Sequence, residues 1–173
     1  RCVATTQRLM LMSHPPGDSL VPVQLVTAID DTVALLGEEA RLRQVEIRFE
    51  HPEQAIWIQG DNAELRQVFV NLLHNAMHAM TQGGVVSIEI ETSNASVVVI
   101  RISDTGVGIP PENLSRIFLP FFSRRADGQA GMGLGLAVCK SIVDRCGGTI
   151  AVASELGKNT VFTITLPLAL GVS

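Results

Sequence analysis

The sequence predicts an α+β domain, a two-layer α/β sandwich whose mixed, mostly antiparallel sheet of about five strands carries three helices on one face. Three observations predict it. The chain of 173 residues is 46% hydrophobic but only 4% aromatic, which suits a single aliphatic core. Apolar residues recur at helical spacing in separate stretches. Alternating segments fall in hairpin order, "VVSIEIET" with "SVVVIRIS" and "TIAVAS" with "TVFTITLP". Helices combined with antiparallel hairpins point to one mixed sheet covered on one side.

Taken in order, residues 1–14 read as the end of a helix, and "HPPGDS" (14–19) breaks it with proline and glycine. "VPVQL" is a short extended piece. From there to Arg43, Ile29, Val33, Leu36 and Ala40 repeat with helical period. "VEIRF" (45–49) alternates as a strand, and "AIWIQ" (55–59) reads as a second one. In "GDNAELRQVFVNLLHNAMHAM", Asp61 is placed to cap a helix. Leu65, Val68, Phe69, Leu72, Leu73, Ala76 and Met80 make its apolar face. The first hairpin follows Gly83-Gly84, with "SNA" as its turn. A glycine-rich loop region runs from about 104 to 135, then a helix over about 134–146 precedes the last two strands.

Composition also excludes. A net charge of −4 with no Lys/Arg-rich block argues against a general nucleic-acid binder. No apolar run reaches the roughly 18 residues that span a bilayer, and the start lacks a signal-peptide pattern. Without an initiator Met, the chain reads as a fragment of a longer one. Cys2, Cys139 and Cys146 are odd in number and lack C-x-x-C spacing, which favours reduced thiols in the cytoplasm. Cys139 and Cys146 fall on the apolar face of their helix, as core residues.

Four segments carry chemistry. At about 100° per residue, Asn71, Asn75 and His78 form a polar stripe opposite the apolar face of their helix. Alone, the asparagine pair is a solvated helix face. "ISDTGVGIP" puts Asp104 at a strand end before Gly106 and Gly108. It reads either as a tight turn or as a carboxylate that accepts from a ligand amine while glycines let the ligand approach. Gly131, Gly133 and Gly135 alternate directly before a helix, where free N–H groups suit phosphates. This spacing is neither the dinucleotide fingerprint nor a P-loop. In "IFLPFFSRRADGQA", Phe118, Phe121 and Phe122 are suited to packing a loop down. Arg124 and Arg125 then sit in a polar segment read either as a mobile lid reaching phosphates or as an ordinary surface loop.

Together, "NLLHNAMHAM", "DTGVGIP", "IFLPFF", "GMGLGL" and "GKNTVFTITLP" resemble, in order and spacing, the N, G1, F and G2 boxes and terminal strand of sensor histidine kinases. The resemblance is to their ATP-binding catalytic domain, of the GHKL superfamily, over roughly residues 20–168. The N-box ending in "AM" looks most like kinases of the nitrogen-regulation and dicarboxylate-sensing type.

The resemblance implies ATP and Mg²⁺ as ligands. It implies a nucleotide-binding set of Asn71, Asn75, His78, Asp104, Gly106, Gly108, Ile109, Phe122, Arg124, Arg125, Gly131, Met132, Gly133, Leu134, Gly135, Leu136 and Thr160. Asn75 would coordinate Mg²⁺ with Asn71 close by. Asp104 would accept from the adenine amine, with Thr160 supporting it through water. Two positions depart from the pattern. His78 stands where many relatives carry a basic residue, which shifts the phosphate contact toward Arg124 and Arg125. Asn159 replaces a usual glycine and tolerates positive φ better than most residues.

ATPases and serine kinases of the superfamily carry Glu four residues before the metal asparagine, where it activates the attacking group. Here that residue is Asn71, which takes no proton, so slow hydrolysis is expected while positioning for phosphoryl transfer remains. None of His14, His51, His74 or His78 lies in the context of the family's phospho-accepting helix. The implied partners are the protein's own dimerisation and phosphoacceptor domain and, downstream, a response regulator receiver domain. The parent would be a homodimer of a two-component phosphorelay, cytoplasmic, with an inner-membrane anchor left open. On this reading residues 1–19 end the dimerisation helix and linker, and 20–173 form the catalytic domain. The rival readings are a GHKL-type ATPase or serine kinase and a non-catalytic ATP-binding module.

Overall fold

The computed structural model describes residues 20–93, 96–122, 132–169 and 171. In chain order its elements are β1 (Val21–Gln24), α1 (Leu25–Leu42), β2 (Val45–Phe49), β3 (Trp57–Gly60), α2 (Asn62–Ala79), β4 (Gly84–Ser93) and β5 (Val97–Asp104). Then come α3 (Pro111–Leu114), α4 (Gly135–Arg145), β6 (Thr149–Glu155) and β7 (Asn159–Pro167). Five strands make the main sheet in the order β2-β4-β5-β7-β6. Only β2 against β4 is parallel; the other three pairings are antiparallel.

Alternation decides which side of the sheet is covered. Val86 and Ile88, then Val98, Ile100 and Ile102, then Phe162, Ile164 and Leu166 are buried on one face. Against them lie α1, α2 and α4. α2 is the middle helix, packed on both others. Its buried Leu65, Val68, Phe69, Leu72, Leu73, Ala76 and Met77 join the three layers of contact. At about 25 cal/mol per Å², burial of such side chains is the dominant favourable term. Cys139 and Cys146 are buried, unbridged core residues, and burial pushes the Cys139 thiol up to about 12. Cys2 and His14 lie outside the described residues.

Helix starts follow local chemistry. Asp61 accepts from the Glu64 amide at 2.9 Å, and Gln24 accepts from Thr27 at 2.6 Å. α4 differs: Leu134 precedes it, and no side chain caps it.

The segment predicted as a second strand at 55–59 is not in the main sheet. It is β3, which pairs antiparallel with β1, Val21 opposite Gly60 and Gln24 opposite Trp57. Both strands run almost directly into a helix, and they meet the main-sheet chain beyond the end of β7, where Leu168 bridges Ile58 and the Ala169 amide donates to Trp57 at 2.8 Å. No helix among the described residues is long and apolar enough to cross a membrane.

Candidate functional site

A cavity of about 360 Å³ opens between the end of α2, the loop after β5, α3 and the start of α4. That volume lies within the range of small-molecule sites. Its floor is set by strand register. Asp104 ends β5, and its cross-strand partner in β7 is Thr160. Both are buried on the helix-facing side.

Burial pushes the Asp104 carboxyl up to about 6, against the pull of the Gly106 amide, which donates to Oδ1 at 2.9 Å. Oδ2 has no protein donor among the described residues. Thr160 is oriented by Ser154. The Ser154 hydroxyl receives the Ile109 amide at 2.8 Å, reaches the Asn159 carbonyl at 2.7 Å and meets Thr160 Oγ1 at 2.9 Å. With its single proton given to the carbonyl, Ser154 takes the Thr160 proton and leaves Thr160 an acceptor toward the cavity.

The loop above this floor is fixed at both ends. The Val107 amide donates to Ala79 at the end of α2, and the Gly157 amide donates to Val107. Gly108 holds φ +72°, and a Cβ there would sit 2.3 Å from the Glu155 carbonyl oxygen. Only glycine fits. Ile109, Ile117 and Phe162 supply apolar walls, with Phe118 edge-on behind Phe162 at 6.4 Å between centroids.

The opposite end is polar. Asn75 and His78 reach it from α2. The Asn75 carboxamide makes no hydrogen bond among the described residues. His78 Nδ1 donates to the His74 carbonyl at 2.6 Å, and Nε2 lies 3.4 Å from the Arg43 guanidinium. Arg43 is held by Glu39 at 3.0 Å, and Glu39 also binds His74 at 3.0 Å. α1 thus brings a cation beside the position where the sequence lacks one. Gly133, Gly135 and Leu136 line the cavity at the uncapped start of α4. Gly133 has φ +65°, and a Cβ there would meet the Phe121 and Phe122 backbone at 2.5–2.7 Å. Phe122 is covered by the Arg116 guanidinium, 4.9 Å above its ring.

Of the predicted set, Asn75, His78, Asp104, Gly108, Ile109, Phe122, Gly133, Gly135, Leu136 and Thr160 come together on this cavity. Asn71, Gly106, Met132 and Leu134 do not line it. Asn71 is buried, accepts from Gln67 at 3.0 Å and donates to the Gly135 carbonyl at 3.2 Å. Gly106 acts through Asp104, Leu134 is buried at the helix start, and Met132 is half exposed. Arg124, Arg125 and Gly131, and with them the expected lid, lie outside the described residues.

Sequence reasoning missed Ser154, Asn113, Ile117 and Phe162. Phe162 was findable, two residues beyond Thr160 on the same strand face. Ser154 needs the β6–β7 register, in which it faces Thr160. Asn113 carries no local signal.

Among the described residues no three His, Cys, Asp or Glu side chains converge to hold a metal. A hard cation carried mainly by phosphates and waters needs few protein oxygens, and Asn75 fits that role.

The family described as histidine kinase-, DNA gyrase B-, and HSP90-like ATPase matches residues 60–170. The chain is 39% identical over 160 residues to the sensor histidine kinase ZraS of Salmonella typhimurium, covering 92% of this chain and 34% of that protein. It is 36% identical to sporulation kinase C of Bacillus subtilis over 161 residues, 92% of this chain and 37% of that one. The chain therefore spans about a third of the curated relatives it matches. Among solved structures, the mycobacterial sensor histidine kinase MprB superposes with a TM-score of 0.74 at 26% identity, over 86% of this chain and 97% of that one. Full-length ShkA in complex with AMPPNP gives 0.81 at 27% identity, over 98% of this chain and 35% of that one.

Proposed function

This chain belongs to the histidine kinase-, DNA gyrase B- and HSP90-like ATPases, and we propose that it serves there as the ATP-binding catalytic domain of a two-component sensor histidine kinase. The observation that carries this reading is one cavity with a buried acceptor pair at one end and an uncommitted amide beside an uncapped helix start at the other. Asp104 accepts from the exocyclic amine of adenine, and Thr160 supports it through water. Ile109, Ile117 and Phe162 enclose the base. The amides at the start of α4 face the phosphates.

Asn75 offers its carboxamide oxygen to Mg²⁺. When bound, that ion neutralises charge spread over the β- and γ-phosphates. Asn71 has no proton-accepting group and is turned to the Gly135 carbonyl, so water in the site has no general base from this position. Positioning and electrostatics remain, and these are what transfer to a supplied acceptor requires.

That acceptor is a histidine on the protein's own dimerisation domain, with residues 1–19 as its tail and linker and 20–173 as the catalytic domain. The parent acts as a cytoplasmic homodimer that hands the phosphoryl group to a response regulator.

The test incubates the purified chain with γ-labelled ATP and Mg²⁺, with and without the dimerisation domain of its parent. Acid-labile, base-stable label on the added domain is the expected result. Stable label on this chain, or turnover at the rate of a true ATPase, refutes the reading.

A further inference from the structure

The base end of the cavity holds one polar side chain that the reading above leaves without work. Asn113 sits in the single turn of α3, is only 8% exposed and lines the cavity. Its backbone is fully engaged: the amide donates to Pro110 at 2.9 Å, and the carbonyl accepts from Arg116 at 2.8 Å. Its carboxamide makes no hydrogen bond among the described residues. Ile117, one turn on, and Phe162, which lines the same end, are apolar and offer it nothing. A carboxamide carries two donors and an acceptor; no side-chain polar atom among the described residues is both fully buried and unpaired, so the Asn113 amide, lacking a protein partner, opens onto the cavity. Such a group beside an apolar wall is satisfied by what enters the cavity.

The chemistry of the entrant narrows the role. Asp104 is an acceptor and takes the exocyclic amine. The other polar atoms open to hydrogen bonding on the adenine ring are N1, N3 and N7, unprotonated nitrogens that all accept, N9 being bonded to the ribose. The complement to an acceptor is a donor, and the Asn113 NH₂ is one.

Resting on the adenine nucleotide reading above, we infer that Asn113 is a second base-reading residue, donating to a ring nitrogen of adenine. Selection of the base then rests on two groups of opposite polarity, an acceptor from the sheet and a donor from α3.

The test measures Kd for ATP and for its 1-deaza, 3-deaza and 7-deaza analogues on the whole chain. The proteins are wild type, Asn113→Leu and Asn113→Asp, with unfolding of each followed in parallel. Asn113→Leu should weaken ATP roughly 5- to 30-fold, the range for one hydrogen bond to a buried partner. Wild type should lose a similar factor on one deaza analogue, and Asn113→Leu should lose nothing more on that same analogue. Asn113→Asp, which removes the donor, should bind ATP no better than Asn113→Leu. An unchanged ATP affinity in Asn113→Leu, or an equal loss on ATP and all three analogues, overturns the inference while the nucleotide reading stands. Failure of the wild type to bind ATP sinks the nucleotide reading itself.

Discussion

The Asn71 carboxamide donates to the Gly135 carbonyl at 3.2 Å, joining the middle of α2 to the first residue of α4. The same side chain accepts from Gln67, so both of its polar ends are engaged within the fold. Asn71→Ala removes both hydrogen bonds, while the Gly135 carbonyl keeps its place in the α4 ladder, and should cost about 0.5–1.5 kcal/mol in denaturant unfolding. Asn71→Glu sets carboxylate oxygens against a carbonyl oxygen, acceptor to acceptor. It should lower stability without conferring hydrolysis. A phosphate-release assay that found ATPase activity in Asn71→Glu would show that this side chain reaches the nucleotide after all.

Asp104 makes the site pH-dependent. Its carboxyl is raised from 3.8 to about 6 in the folded protein. The raised value means that the folded state holds this proton more tightly than the unfolded chain does. The contribution is fully present below about pH 4 and is lost as pH rises through about 6, on the order of 2–3 kcal/mol in all. Asp104→Asn should therefore flatten the difference in nucleotide-free stability between pH 4 and pH 7. Affinity runs the other way, because an amine donor favours the ionised carboxylate. Nucleotide binding by the wild type should strengthen through pH 6 relative to Asp104→Asn, which should be weaker by about 1–3 kcal/mol at pH 7.5. Titration calorimetry of both proteins across this range checks it, since ionisation of the nucleotide is common to the two.

Asn75→Ala separates metal from base. The side chain has no protein partner to lose among the described residues, so unfolding should change by less than about 0.5 kcal/mol. Affinity for nucleotide in excess chelator should be unchanged, and the gain on adding Mg²⁺ should shrink. An undiminished Mg²⁺ effect would assign the metal to another ligand.

Two glycines with the same backbone conformation should respond differently to a methyl group. Gly108 has φ +72° and Gly157 φ +80°. A Cβ on Gly108 would lie 2.3 Å from the Glu155 carbonyl, while one on Gly157 meets nothing within 4 Å. Gly157→Ala should cost only the left-handed conformational penalty of about 1–2 kcal/mol. Gly108→Ala should cost more and also weaken ATP, because the β6–β7 turn must move away from the base loop. Equal unfolding shifts for the two would refute the steric argument.

Much of this was legible in the sequence because the relevant signals are local. The 3.6-residue period of α2, the alternation of β4 and of β5, and an aspartate before two glycines at a strand end each lie within a single stretch of at most 18 residues. What failed to show depends on which elements become neighbours. β1 and β3 have four residues each, too few for alternation to choose a sheet. The helical period alone puts Asn71, Asn75 and His78 on a solvated stripe opposite the apolar face, yet Asn71 is buried. α2 is the middle helix, so that flank is partly covered by α4 instead of facing water. Arg43 beside His78, and Ser154 behind Thr160, exist only through packing and register.

Asp104 and Thr160 are neighbours across two strands, yet α3, α4 and β6 all lie between them in the chain. In the finished sheet β7 is inserted between β5 and β6. Until β7 enters between β5 and β6, Thr160 is not beside Asp104 and only half of the floor exists. Nucleotide at a hundredfold excess over its Kd deepens the native basin by about 2.7 kcal/mol and leaves such intermediates where they are. On the nucleotide reading, bound ligand is therefore a selective holdfast for completed molecules, and its withdrawal relaxes the completed molecules alone, leaving their balance with unfinished ones to the bare fold.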